Sequence, residues 1–541
     1  METKRESFSK KISDLPTTLH HTLTAVLMSL CITSGAAVAQ TVTINPAVEH
    51  QTIRGFGGMN APGWIADLTS AQVDTAFGNG DGQLGLSIMR MRIDPNSNNW
   101  RIQVPAAVRA KSHGAILLAS PWSPPAYMKT NNNLNNGGKL RPEYYGAYTD
   151  HLLSFASFMA SNNASIYALS IQNEPDWHPD YESAEWSATD FVNYFLSQGP
   201  RFGSLKVVAP ESLNFNPALS DPLLNNPNTV EHVDIIGGHL YGRAPRDYPL
   251  ARSKGKELWM TEHYTESQNS ANAWPLALDV GTELHQSMVA NFNAYIWWYI
   301  RRSYGLLTED GAISKRGYLM AQYSKFVRPG YVRIAATEQP LAGVFVTAYK
   351  GPDNRVVVVA VNTTTSHRNL NLNLQNLNVD QFLKYSTSSS LNLGYGGRTT
   401  VMGNAASVWV DPQSVATFVS ETVSGSSSSV SNTSSSRSSV AVSSQSSSRA
   451  SSSSNPGSGA TANVEITNDW GSGYCGTLLI TNNSNAPVTW NVSVMVDGTV
   501  NNLWNGDWSQ SGSTLTVRGL NWNSQIQPGQ TESSVGFCAS R

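Results

Sequence analysis

Between residues 51 and 329, short apolar runs alternate with amphipathic stretches, and most runs stop at Gly, Pro, Asn or a carboxylate. The runs are 51–58 (QTIRGFGG), 86–92 (LSIMRMR), 115–119 (AILLA), 166–177 (IYALSIQNEPDW), 206–209, 233–239, 258–261 and 293–297. Near-continuous apolar runs of this length suit strands buried on both faces, and the stretches between them, such as 144–159, suit helices. About eight strand, loop and helix units predict an α/β fold, a (β/α)8 TIM barrel over roughly 50–328, with its chemistry at the carboxyl ends of the strands.

After Pro329 the apolar period changes. Segments 331–334, 343–349, 355–362, 381–385 and 407–410 alternate without helical stretches between them, which predicts an attached antiparallel β-sandwich over 329–420. An early alternating segment, 41–45 (TVTIN), suits an edge strand that joins it, so residues 40–49 are assigned to the same sandwich. A Ser-dominated stretch follows, and 421–459 reads as a linker with too little apolar surface to fold. Residues 460–541 return to short strands rich in Asn, Gly and Trp, predicting a separate small C-terminal β-sandwich module.

Charge and composition narrow the partner. The formal net charge is -2 and only 14% of the 541 residues are charged, which leaves no basic patch for nucleic acid. Fifteen Trp and twenty Tyr, many beside Gly, Asn and Pro, offer flat faces to a neutral, polar ligand. Lys4, Arg5, Lys10 and Lys11, the apolar run 23–32 and Ala37-Val38-Ala39 form a signal peptide over 1–39. The mature chain is therefore expected to be exported, without a membrane span. Of three cysteines, Cys31 leaves with the signal, while Cys475 and Cys538 are expected to bridge the ends of the last module. Metal-type Cys and His spacing is absent from the sequence, and neither a metal nor a cofactor is implied.

The candidate chemistry lies in two apolar runs that end in carboxylates. LWMTEHY (258–264) delivers Glu262 and SIQNEPDW (170–177) delivers Glu174, giving two strand-end carboxyl groups of the kind that glycoside hydrolysis requires. Taken singly, each could be a structural ion pair. With IRGFGG, SPWSPPAYMK, YIWWYIRRSYG and SKRGYLMAQYSKFVRPGY, in order over about 41–420, the chain resembles the bacterial glucuronoxylan endo-xylanases of glycoside hydrolase family 30.

That resemblance implies a retaining endo-β-1,4-xylanase with Glu174 as acid/base and Glu262 as nucleophile. It implies that Asn173 bonds the sugar 2-hydroxyl and that Trp122, Trp177, Tyr181, Tyr241, Tyr264 and Trp298 line the cleft. It assigns Arg302, helped by Ser267, Ser303 and Tyr304, to a glucuronic acid branch, while Arg301 is expected to pair with a structural carboxylate such as Asp310. ITNDWGSGY, NLWNGDW and LNWN resemble family 2 carbohydrate-binding modules. There Trp470, Trp504 and Trp522 match a binding strip, Trp508 is a further candidate, and Trp490 is expected in the core. The expected partners are glucuronoxylan as substrate and cellulose or another wall polysaccharide for the module, and the protein is expected to be a secreted monomer. The rivals are an endo-glucanase or glucosylceramidase-type glycosidase of the same fold, and a non-catalytic wall-binding protein.

Overall fold

The structure is a computed structural model that describes residues 39–265, 270–421, 459–469, 472–520 and 523–541. The expected export segment, save residue 39, and the expected linker, save its ends, lie outside the described residues, as do Ser267, Trp470 and Trp522. Among the described residues no helix is long and apolar enough to cross a membrane. The chain divides into two compact units, one holding a barrel and a side sheet, the other the C-terminal strands.

Strand β1 (Gln40–Thr52) precedes eight barrel strands: β2 (Gly55–Asn60), β3 (Ile88–Ile93), β4 (Ile116–Pro121), β5 (Ala168–Ser170), β6 (Lys206–Ser212), β7 (Ile235–His239), β8 (Glu257–His263) and β9 (Ala294–Tyr299). They close as a barrel, each paired in parallel with its neighbours and β9 with β2. One side of the strands fills the interior with Ile88, Leu118, Ala168, Val208, Ile235, Trp259, Ala294 and Ile296. The other side packs on the surrounding helices, which is why the strands read as near-continuous apolar runs. In helix Tyr145–Ser161, Tyr148, Leu152, Phe155 and Met159 form the buried stripe, and the Tyr148 hydroxyl donates to the Ile171 carbonyl at 2.8 Å. That bond ties the helix to the segment leading from β5 into the candidate site. In β2, a Cβ on Gly57 would come within 2.1 Å of the Ile88 carbonyl oxygen, so the close approach of β2 and β3 requires glycine there.

The side sheet contains β10 (Val332–Ala336), β11 (Val344–Lys350), β12 (Val356–Asn362), β13 (Arg368–Leu374), β14 (Gln381–Thr387), β15 (Gly394–Thr400), β16 (Ala405–Val410) and β17 (Ser414–Glu421), with β1 among them. Its order is β15-β14-β17-β12-β11-β10-β1-β13-β16. The edge-strand expectation for residues 41–45 is therefore corrected: β1 lies inside the sheet, antiparallel to β10 and parallel to β13. The physical reason is a ladder on each side, with Val42 and Ile44 buried in the sheet's own core.

The C-terminal unit contains β18 (Ala460–Asp469), β19 (Gly473–Asn482), β20 (Val488–Thr489), β21 (Asn491–Met495), β22 (Thr499–Trp504), β23 (Gly506–Ser511), β24 (Thr514–Gly519), β25 (Gln525–Ile526), β26 (Thr531–Glu532) and β27 (Gly536–Ser540). Strands β18-β19-β27-β22 form one sheet, with β26 also on β19, and β21-β24-β23 form another. Trp490 is in their shared core at 1% exposure. Cys475 and Cys538 face each other across β19 and β27 and are bonded, with the sulfurs 2.00 Å apart.

Candidate active site

The carboxyl ends of the barrel strands surround a cleft of about 450 Å³. Its walls include Trp64, Trp122, Glu174, Tyr181, Tyr241, Glu262, Tyr264, Trp298, Arg302 and Tyr304. The local fold re-aims its acidic residues. Along β8, simple alternation would place Glu262 on the helix side with Leu258 and Met260. An irregularity in the ladder between Met260 and His263 brings it to the interior mouth, opposite His239. Glu174, just beyond β5, has φ +44°, a left-handed conformation that costs a glutamate on the order of 1 kcal/mol or more. Its neighbours fix it there: the Asn173 N–H donates to the Pro121 carbonyl at 2.9 Å, and the Gln172 side-chain amide donates to the Trp122 carbonyl at 2.7 Å.

An oxygen of Glu174, an oxygen of Glu262 and a ring nitrogen of His239 all lie within 4.8 Å of one another. The three could geometrically hold an ion, but positive charge is already built into this spot. The Arg90 guanidinium, fully buried on β3, donates to Glu262 Oε2 at 2.6 Å, Asn173 Oδ1 at 2.6 Å and Glu211 Oε1 at 3.0 Å. It also lies 4.7 Å from the Trp122 ring centre, so one side chain touches much of the site. Burial works against its charge, but Glu211 and Glu262 outweigh burial and keep it protonated.

His239 Nδ1 is 3.0 Å from Glu174 Oε1, and its Nε2 is 3.9 Å from Glu211 and 4.0 Å from Glu262. Burial alone would lower its pKa, yet the surrounding carboxylates, Glu262 first, raise it to about 9. The Tyr241 hydroxyl donates to Glu262 Oε1 at 2.9 Å. Burial and the charges of Glu262 and Glu174 hold that phenol neutral, far above its usual range. Glu262 thus receives one hydrogen bond on each oxygen, from Arg90 and from Tyr241.

The aromatic walls form one continuous cluster. Trp64 meets Trp122 edge-on at 4.9 Å, Trp122 meets Trp298 at 5.8 Å, and Tyr264 stacks on Tyr304 at 4.8 Å. Arg302 stands in the same wall with its guanidinium 3.3 Å from Glu309, both partly exposed. Ser303 contributes its carbonyl to the Ala271 N–H at 2.8 Å and is not among the cleft walls. Trp177 also stands apart from the cleft walls, with 36% of its surface exposed. Arg301 departs from its expected pairing with Asp310: it donates to the Ala66 carbonyl at 2.8 Å and to Gln72, because its side chain turns toward the helix after β2.

Sequence reasoning missed Arg90, Glu211, His239 and Trp64. Signals for three of them existed, in the charges inside the apolar run MRMR, the Glu one residue before the end of KVVAPES and the His ending IIGGH. In the C-terminal unit, Trp504 and Trp508 are 42% and 39% exposed on β22 and β23.

Comparison with known proteins agrees with this geometry. The family model for the glycosyl hydrolase family 30 TIM-barrel domain matches residues 77–198, that for the family 30 beta sandwich domain matches 330–418, and that for a cellulose binding domain matches 460–541. Glucuronoxylanase XynC of Bacillus subtilis (strain 168) is 48% identical over 406 residues, covering 73% of this chain and 95% of that protein. Among solved structures, the glycoside hydrolase family 30 subfamily 8 xylanase Xyn30A of Clostridium acetobutylicum has a TM-score of 0.66 at 41% identity, covering 71% of this chain and 100% of that one. A GH30 endoxylanase from Clostridium papyrosolvens C71 has a TM-score of 0.65 at 35% identity over the same shares. Barrel, side sheet, cleft and sequence agree, and the chain belongs to glycoside hydrolase family 30, with a C-terminal domain of the cellulose-binding type.

Proposed function

We propose that this chain is a secreted, retaining endo-β-1,4-xylanase that cuts glucuronoxylan at positions set by its glucuronic acid branches, while the C-terminal domain holds it on cellulose. The observation that carries the reading is the pair of carboxylates: oxygens of Glu174 and Glu262 within 4.8 Å of each other in an aromatic cleft. Retaining pairs stand about 5 to 5.5 Å apart, whereas inverting pairs need about 6.5 to 9.5 Å to admit a water between them.

Glu262 acts as nucleophile. Its carboxylate attacks the anomeric carbon, the glycosidic bond breaks, and the Glu174 carboxylic acid gives its proton to the departing oxygen. Water then attacks the glycosyl ester, Glu174 takes the water proton, and Glu262 leaves as carboxylate. Tyr241 and Arg90 orient Glu262 for the first step, and Asn173, fixed by Arg90, faces the 2-hydroxyl. The guanidinium of Arg302, standing in the cleft wall, suits a branch carboxylate. The name of the 48% identical Bacillus protein, a glucuronoxylanase, supports the substrate. Export rests on the first 39 residues of the sequence.

Mass analysis of the products from glucuronoxylan tests this reading. Branch-directed cutting leaves one glucuronate per product, at a fixed ring from the new reducing end. Products with scattered or absent glucuronate would indicate a general xylanase or glucanase, and no new reducing ends would indicate a binding protein.

A further inference from the structure

Glu211 takes no part in the steps above, yet it lies behind both reacting carboxylates. Along β6, Val208 faces the barrel interior while Val207 and Ala209 face the helices, so alternation would send Glu211 outward. A register shift between Pro210 and Ser212, with φ +57° at Glu211, turns it inward instead. It is fully buried there. Its own backbone carbonyl accepts the Glu174 N–H at 3.0 Å.

The side chain faces two cations. Glu211 Oε1 accepts from Arg90 Nη2 at 3.0 Å and from Ser120 Oγ at 3.1 Å, and it lies 3.9 Å from His239 Nε2. Arg90 in turn holds Glu262, and His239 holds Glu174. Ser170 and the His239 imidazole also favour the charged form of Glu211. The groups facing this set are Arg90, His239, Glu174, Glu262 and the phenol of Tyr241, which is neutral. With Glu174 protonated for its role as acid, the charges of Arg90, His239, Glu211 and Glu262 cancel. Without Glu211 the set carries an uncompensated positive charge in a site shielded from water.

We infer that Glu211 is a positioning residue: its carboxylate holds Arg90 and His239 behind Glu262 and Glu174, and balances their charge so that Glu174 keeps its proton. This rests on the roles proposed above for Glu174 and Glu262. Burial would raise the Glu211 pKa, but Arg90 and then His239 bring it down to about 2, so it stays charged throughout the working range. Removing a nearby negative charge makes every proton in the set easier to lose. Both limbs of the pH-rate profile then move to lower pH.

The test compares the full chain with its Glu211→Gln and Glu211→Asp variants, measuring kcat and KM on soluble glucuronoxylan across pH together with the melting temperature. Glu211→Gln keeps the shape and removes the charge. It is expected to lower kcat by about 10-fold or more with little change in KM, and to shift both limbs down by about one pH unit. Glu211→Asp keeps the charge and is expected to keep both limbs at the parental pH even where kcat falls. Unmoved limbs in a folded Glu211→Gln variant would overturn the inference. Should that variant not fold, acid-shifted limbs in Glu211→Asp would overturn it, and parental limbs would support it. Failure of the underlying reading shows elsewhere, as turnover that survives Glu262→Gln.

Discussion

Arg90 Nη1 donates to Glu262 Oε2 at 2.6 Å, with the arginine fully buried and the carboxylate nearly so. The other end of the same guanidinium reaches Asn173 and Glu211, so the planar fork sets the angle as well as the distance between these groups. Arg90→Lys keeps the charge but supplies no fork. It is expected to lower kcat by about 10²-fold or more while the chain stays folded, as read by steady-state kinetics beside a melting curve.

Tyr241 supplies the second hydrogen bond to Glu262, and with Glu262 as the proposed nucleophile that bond would loosen on attack and reform on departure. Tyr241→Phe is therefore expected to cost about 10- to 100-fold in kcat with KM nearly unchanged. A change confined to KM would place the hydroxyl on the substrate instead.

Arg302 pairs with exposed Glu309 at 3.3 Å, and surface pairs of this kind are worth about 0 to 1 kcal/mol. A branch carboxylate can displace such a partner at small cost. Arg302→Ala is expected to lose far more kcat/KM on glucuronoxylan than on unbranched xylan, and equal losses on the two would refute recognition of the branch.

His239 links pH to stability. Its folded pKa of about 9 lies above the ordinary 6.5, so the stabilisation it brings is complete below about pH 6.5 and is lost as pH rises through 9. Calorimetry of the full chain should show the barrel transition falling between those values. His239→Asn should flatten that slope.

Trp504 and Trp508 expose their rings on β22 and β23, away from the core that holds Trp490. Replacing both by Ala is expected to weaken binding to crystalline cellulose by about 10-fold or more, while turnover of soluble glucuronoxylan is retained.

Much of this was legible in the sequence where burial leaves a periodic trace. Barrel strands are buried on both faces, so β3, β4 and β7 stood out as runs, and their boundaries moved by only a few residues. Strand β1 was misread because TVTIN alternates as a half-exposed edge does, although its two ladders are formed by residues some 290 and 330 positions away. The pairing of Glu174 and Glu262 across the cleft was legible through their motifs. Their supports were not: Arg90 and Arg92 share a face of β3, and nothing local tells which one meets Glu262 and which one meets Asp94 and Glu182. Glu211 and Glu262 face inward only because ladder irregularities reverse the alternation, which is a property of the neighbouring strands and leaves no trace in either segment alone.

The central claim is that Glu262 forms a covalent bond to the sugar. Incubation with a 2-fluoro xylo-oligosaccharide bearing an activated leaving group, followed by digestion and peptide mass spectrometry, tests it most directly. The account predicts one glycosyl adduct, on the peptide that contains Glu262, forming as activity is lost. An adduct on a different residue, or continued turnover without any adduct, would contradict it.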